Sequence, residues 1–350
     1  MSVGKFLGQQ ALGLASNTNP FAGQVDTRAW TDADRNFSIF DAAGNVQLNE
    51  LGVTSNNNFG IPGLGSTQFD PALPRPTNWE ESVSVQHALF PRVSVTAGYY
   101  HRSFQHIQYT KNTLVDPVAD YQLFNIVGPS NPNLPGGGGG TIPVYNLNAA
   151  KRGFVNSVLT FSDHNSRVYN GVEVSVNARL GRGGFIFGGI TTERTATNNC
   201  TDLNNSNPNN LRFCDQTPPF QPLYKASVGY TVPWDIQLSG TFQRRPGISI
   251  GSTYTFNSAQ AGFAITGGGT LSVTVVDPTQ QYYDAVQTVD ARISKAIRFG
   301  KKRLQLFTEL FNVPNSAIVL TVNETVGPLY FNPQAITTGR RAQFGGQIDW

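Results

Sequence analysis

The sequence predicts an all-β fold, an antiparallel transmembrane β-barrel, on three observations. Apolar and polar residues alternate with period two in segments long enough to cross a bilayer. Short turns and long loops alternate between those segments, and aromatic residues gather at the segment ends.

The last segment shows the alternation most clearly. Ala342, Phe344, Gly346, Ile348 and Trp350 fall on one face, and Arg341, Gln343, Gly345, Gln347 and Asp349 on the other. A tilted strand of about 9–11 residues spans the hydrocarbon core. The same pattern runs through Val172–Leu180, Tyr224–Val232 and Ile236–Gln243. Further strands are expected over Trp79–Leu89, Val93–Ile107, Phe185–Thr195, Val286–Arg298 and Arg303–Phe311. A tenth, with a fainter signal, lies near Val3–Leu12. Residues 1–78 then hold that first strand and a long extracellular loop, and 79–350 hold the other nine strands.

The connections set the orientation. Phe90-Pro91-Arg92, Gly181–Gly184, Pro233-Trp234-Asp235 and Gly300-Lys301-Lys302 are short, as periplasmic turns are. Segments 113–166, 196–222, 251–285 and 312–339 are long, as extracellular loops are. Trp79, Tyr99, Tyr100, Tyr169 and Tyr224 lie toward the long-loop side, and Phe90, Trp234, Phe299 and Trp350 toward the short-turn side. Two such girdles flank a membrane barrel. A soluble β-sandwich also alternates, but its strands run about 5–6 residues and need no second girdle. Lys295 is the discordant residue, because it shares parity with Ile293 and Ile297. It must stand near an interface, snorkel, or follow a bulge.

Composition agrees. Only 13% of the 350 residues are charged, 36 are glycine, and the net charge of +3 is spread without a basic block. Nucleic acid is therefore not an expected partner. No run approaches 18 apolar residues, so no transmembrane helix is expected. The start, Met1-Ser-Val-Gly-Lys-Phe, lacks the features of a signal peptide.

Few residues suggest chemistry. His87, His101, His106 and His164 lack metal-like spacing, no nucleophile elbow appears, and Gly136–Gly140 lack the Lys-Ser/Thr of a phosphate loop. Cys200 and Cys214 are either a loop disulfide, implying an oxidising compartment, or two unpaired thiols. Asp32, Asp34 and Asn36, followed by Glu50, place oxygen ligands as a calcium loop does. Phe37 and Ala43 stand where an EF-hand needs glycine and glutamate, so either an irregular Ca²⁺ site or a solvated turn results. No other cofactor is expected. Glu173, Arg179, Arg194, Arg292 and Glu309, with Gln237 and Gln243, are read as lumen-facing.

Several stretches resemble one family. They are Arg75-Pro-Thr-Asn-Trp-Glu-Glu-Ser-Val-Ser-Val-Gln-His, Tyr169-Asn-Gly-Val-Glu-Val-Ser-Val-Asn-Ala-Arg and Asp290-Ala-Arg-Ile-Ser-Lys. Phe307-Thr-Glu-Leu-Phe-Asn-Val-Pro-Asn-Ser, the loop at Val326-Gly-Pro and the terminal Arg341-Ala-Gln-Phe-Gly-Gly-Gln-Ile-Asp-Trp complete the set. In order and spacing they resemble the C-terminal barrel of TonB-dependent receptors of the Oar-like group, which carry an N-terminal carboxypeptidase-regulatory-like domain. The resemblance implies an outer-membrane receptor for energised uptake of a small ligand, with a 22-stranded barrel blocked by a plug. It implies outer-membrane lipid, the barrel-insertion machinery (through the terminal aromatic Trp350) and, by way of the plug, the TonB complex as partners. Nine or ten strands are a partial barrel, so a fragment lacking plug and signal peptide is expected. A stand-alone adhesin or structural barrel binding through its loops is the alternative, and neither is an enzyme.

Overall fold

The computed structural model describes residues 1–8, 25–61, 67–181, 183–300 and 302–350. Ten strands form one antiparallel meander: β1 (Ser2–Leu7), β2 (Thr77–Phe90), β3 (Val93–Gln105), β4 (Ser166–Arg179) and β5 (Phe185–Asn198), then β6 (Gln221–Val232), β7 (Ile236–Arg245), β8 (Val286–Phe299), β9 (Lys302–Phe311) and β10 (Arg341–Asp349). Each pairs with the next in the chain, and β1 and β10 are the two edges of an unclosed sheet. Strand β1 realises the first part of the expected Val3–Leu12 segment, whose residues 9–12 lie outside the described ones.

The register carries the alternation from strand to strand. Phe344 faces Thr308, Thr308 faces Ile293, Ile293 faces Leu238, and Leu238 faces Tyr230. Each of these residues shares its side of the sheet with its partner. On this outward face Val174, Ile190, Val228, Leu238, Ile293, Leu306 and Phe344 are all exposed. The opposite face carries Glu173, Ser175, Asn177, Ser227, Thr241, Arg292 and Gln305. An apolar face of this extent left bare is the mark of a sheet solvated by lipid.

The short-turn girdle stands on the outward face: Phe90, Trp234, Phe299 and Trp350 are 69%, 78%, 60% and 91% exposed. The long-loop girdle needs a correction. Trp79, Tyr99 and Tyr224 point outward, whereas Tyr100 and Tyr169 have the parity of Glu80 and Glu193 and point inward. Strand β3 also stops short of the expected Ile107. His106 adopts φ 53°, turning the chain out of the barrel, and Ile107–Asn112 joins a different sheet.

Lys295 does lie on the outward face, opposite Ile236 and Leu306. Its ammonium donates to the backbone carbonyl of Trp234 in the adjacent short turn. The aliphatic stem thus crosses the apolar edge while the charge reaches the interface.

The core lies in the loops. Ile126, Ile142, Val144, Phe256, Ile265 and Val273 pack together, joining the hairpin Tyr121–Val127/Thr141–Leu147 to the hairpin Thr253–Asn257/Thr270–Thr274. Leu134, Val276, Val326 and Tyr330 form a second cluster, and Ile250, Tyr283 and Val322 a third. Three long loops therefore pack into a cap around apolar clusters. Of the outward-facing barrel residues, Ala178 alone appears among the buried apolar side chains of the described structure.

The outward face predicts an asymmetric tolerance of charge. Ile293→Lys near the middle of β8 is expected to cost about 2–4 kcal/mol in vesicle-embedded protein. Thr241→Lys, exposed on the inward face of β7, is expected to cost far less. Urea unfolding from lipid vesicles measures both.

Candidate ligand-capture site

The outer ends of β1 to β5 enclose a cavity of about 570 Å³ on the inward face. Its walls are Glu80, Tyr100, Arg102, Phe104, Arg167 and Tyr169. Arg102 pairs with Glu80 at 2.6 Å, across the β2–β3 register. Arg167 has no ion pair among the described residues and lies 5.0 Å over the Phe104 ring. The Tyr169 hydroxyl donates to Glu193 at 2.6 Å. Both tyrosine rings lean along their strands over a glycine two residues away. A Cβ on Gly98 would meet the Tyr100 oxygen at 2.9 Å, and one on Gly171 would meet that of Tyr169 at 2.5 Å. The glycines therefore set where the rings lie.

Above it, the disulfide loop fixes the cap. Cys200 and Cys214 are bonded. Between them Asp202 accepts hydrogen bonds from Ser162 and, at 3.4 Å, from Tyr109, and its backbone is clasped by both amide atoms of Asn165. Burial first, and then the Asp202 carboxylate, push the Tyr109 hydroxyl above its ordinary pKa. His164 also touches Asp202, at 3.4 Å. This gathers Ser, His and Asp, yet the carboxylate stands between the other two and accepts the serine's hydrogen bond itself. A nucleophilic triad needs histidine between serine and carboxylate, so the cluster is a structural clasp. Its members are far apart in sequence, and no periodicity marks them.

Near the tip of the first loop, Asp32, Asp34 and Glu50 bring carboxylate oxygens within 4.8 Å of one another. Glu50 is buried and accepts from Ala33 N, Asp34 N and Trp30 Nε1. Asp32 accepts from Phe37 N, while its other oxygen is buried without a partner. Asn36 turns its amide nitrogen, not its oxygen, toward Asp34. Three carboxylates thus converge, and the fourth expected ligand faces them with a donor.

The inward-facing expectations sort as follows. Arg292 and Glu309 face each other across β8 and β9 at 3.0 Å, with Arg292 also 4.0 Å over Phe307. Glu173 and Arg179 lie on the inward face of β4, and Gln237 and Gln243 on that of β7. Arg194 does not. It shares parity with Ile186 and Ile190 and faces outward, over Phe220 at 4.5 Å, and its neighbour Glu193 takes the inward position.

No family model matches the chain, and no curated protein matches it in sequence. Its fold resembles solved structures. The siderophore receptor PirA of Acinetobacter baumannii shares 11% identity over 79% of this chain and 32% of its own, with a TM-score of 0.40. The outer membrane transporter YddB of Escherichia coli shares 12% over 87% and 35%, at 0.41. The ferric-catecholate import receptor Fiu of Escherichia coli shares 10% over 92% and 39%, at 0.41. The chain spans about a third of the length of these structures. Likeness at such identity concerns fold alone.

Two outcomes follow for the first loop. Glu50→Ala leaves three donors without their acceptor and is expected to destabilise residues 25–61 by about 1–3 kcal/mol. Hydrogen exchange of the Ala33 and Asp34 amides reads this directly. Asp26 in the same loop is held below the ordinary carboxylate range. Burial opposes ionisation, but bonds from Thr54, Arg28, Ser55 and Asn56 outweigh it. A depressed folded pKa gives stability that is present above the unfolded value of about 3.9 and lost as pH falls through the folded one. Exchange corrected for intrinsic rates should therefore accelerate in this loop below about pH 4, and Asp26→Asn should flatten that dependence.

Proposed function

We propose that the chain is barrel and cap of an outer-membrane receptor that captures a small ligand with its outer loops and passes it inward. The observation that carries this reading is the pairing of a bare apolar belt, girdled at the short-turn side by Phe90, Trp234, Phe299 and Trp350, with a packed loop cap at the other end. The belt calls for lipid and the cap calls for water. The inward cavity supplies cationic and aromatic groups at the mouth, and Arg167 offers a guanidinium not spent on an ion pair.

The finer reading follows from the family resemblance. A plug preceding this segment and engaging the TonB complex would energise release, and Trp350 would serve recognition by the insertion machinery. A ten-stranded sheet with two free edges suits a portion of a larger barrel, since open edges are not stable in lipid. An adhesin would bind by its outer loops alone and has no need of a charged inward face, which supports the transport reading.

Membrane insertion is the decisive measurement. Protein offered to vesicles should float with the lipid, keep its strands from added protease and be cut in the exposed loops. Recovery of folded protein in the aqueous phase after detergent partition would refute the reading.

A further inference from the structure

Arg194 belongs to a pattern on the outward face. Following β5 away from its short turn, the outward residues are Ile186, Gly188, Ile190, Thr192 and then Arg194. On β7 they are Ile236, Leu238, Gly240, Phe242 and then Arg244. Each arginine stands eight residues beyond the first outward apolar residue. Eight residues advance about 27 Å along a strand, or roughly 19 Å along the membrane normal at a 45° tilt. With the turn residues below, that places both at the upper edge of an apolar band about 25 Å tall. On β1, Lys5 faces outward opposite Trp79 in the long-loop girdle.

All three cations are seated the same way. Lys5 lies 5.8 Å over Trp79, Arg194 lies 4.5 Å over Phe220, and Arg244 lies 5.7 Å over Tyr224. None makes an ion pair among the described residues. The Nε of Arg194 is buried without a protein acceptor. Glu81 is also outward at this level, opposite His101 in register. An arginine on a lipid-facing strand without a carboxylate needs an anion from the solvent it faces, and here that solvent is the headgroup layer.

We infer that Arg194 and Arg244, on strands two places apart in the sheet, form a binding surface for phosphate groups of the glycolipid in the outer leaflet. The rings seat the two cations, and each guanidinium can take two phosphate oxygens. Position selects the glycolipid: both residues stand at the long-loop end, where the leaflet facing the exterior lies. The inference rests on the membrane reading above.

The test uses the whole chain folded in detergent micelles, with heat-modifiable mobility checked first. Protein that folds but stays in the aqueous phase fails the membrane reading, and the lipid comparison applies to inserted protein. Native mass spectrometry then counts bound diphosphoryl lipid A, its chemically dephosphorylated form and phosphatidylglycerol. Diphosphoryl lipid A is expected to bind at least tenfold more tightly than either. The double variant Arg194→Gln/Arg244→Gln should lose about tenfold, and Arg194→Lys/Arg244→Lys should lose less. Lys225→Gln, a cation on the inward face, should change nothing. Should the double variant misfold, each single variant and the wild type at raised salt carry the same comparison. Equal binding of the phosphorylated and dephosphorylated lipids would overturn the inference. So would phosphatidylglycerol binding as well as lipid A, which makes the surface a general anion contact, or variants that bind unchanged.

Discussion

A strand in lipid has no water to satisfy its backbone, so its hydrogen-bond ladder must be complete on both sides. That requirement organises the molecule. It makes the chain a meander in which β1 through β9 each pair with their successors, with β1 and β10 as the two edges of the described sheet. It also removes the usual reason for a core. The outward residues of the barrel meet lipid tails as apolar as themselves, and the inward ones meet water, so neither face buries apolar surface against another layer.

The hydrophobic effect operates instead where the chain leaves the membrane. Phe256, Val144, Ile142 and Val273 are buried in the cap, joining loops that lie more than a hundred residues apart. The Asp202 clasp and the Ser252–Tyr330 hydroxyl pair at 2.5 Å tie loops to each other, and the Cys200–Cys214 bond closes the loop that carries Asp202. The inward cavity is walled by residues of strands β1 to β5, which the sheet holds in place. Capture by preformed walls loses less conformational entropy than capture by loose loops.

Charge obeys the same division. Two inward cations pair with anions across the register, Arg102 with Glu80 and Arg292 with Glu309, while Arg167 at the cavity stays free of an ion pair. Outward cations have no such partners and are found at the two rims. Lys295 reaches a turn carbonyl at one, and Arg194 and Arg244 sit over aromatic rings at the other. Lys295, discordant in the sequence pattern, thus stands at one rim of the apolar belt, and Arg194 and Arg244 stand at the other.

The strands and their faces were legible in the sequence because lipid on one side and water on the other impose a period of two that no tertiary contact has to create. All nine expected segments are strands, and the terminal Arg341–Trp350 alternation is β10 as read. The departures from the sequence pattern are local: Arg194 has the parity of Ile190 and faces outward, and Tyr100 and Tyr169 turn inward over glycines. What only the tertiary structure decided is the cap. Its hairpins show no long periodicity, its buried residues come from different loops, and clusters such as Ser162, Asn165 and Asp202 form only once distant segments meet. Period two reports a face that solvent dictates. Packing between loops depends on which segments come together, and that is written in no single stretch of chain.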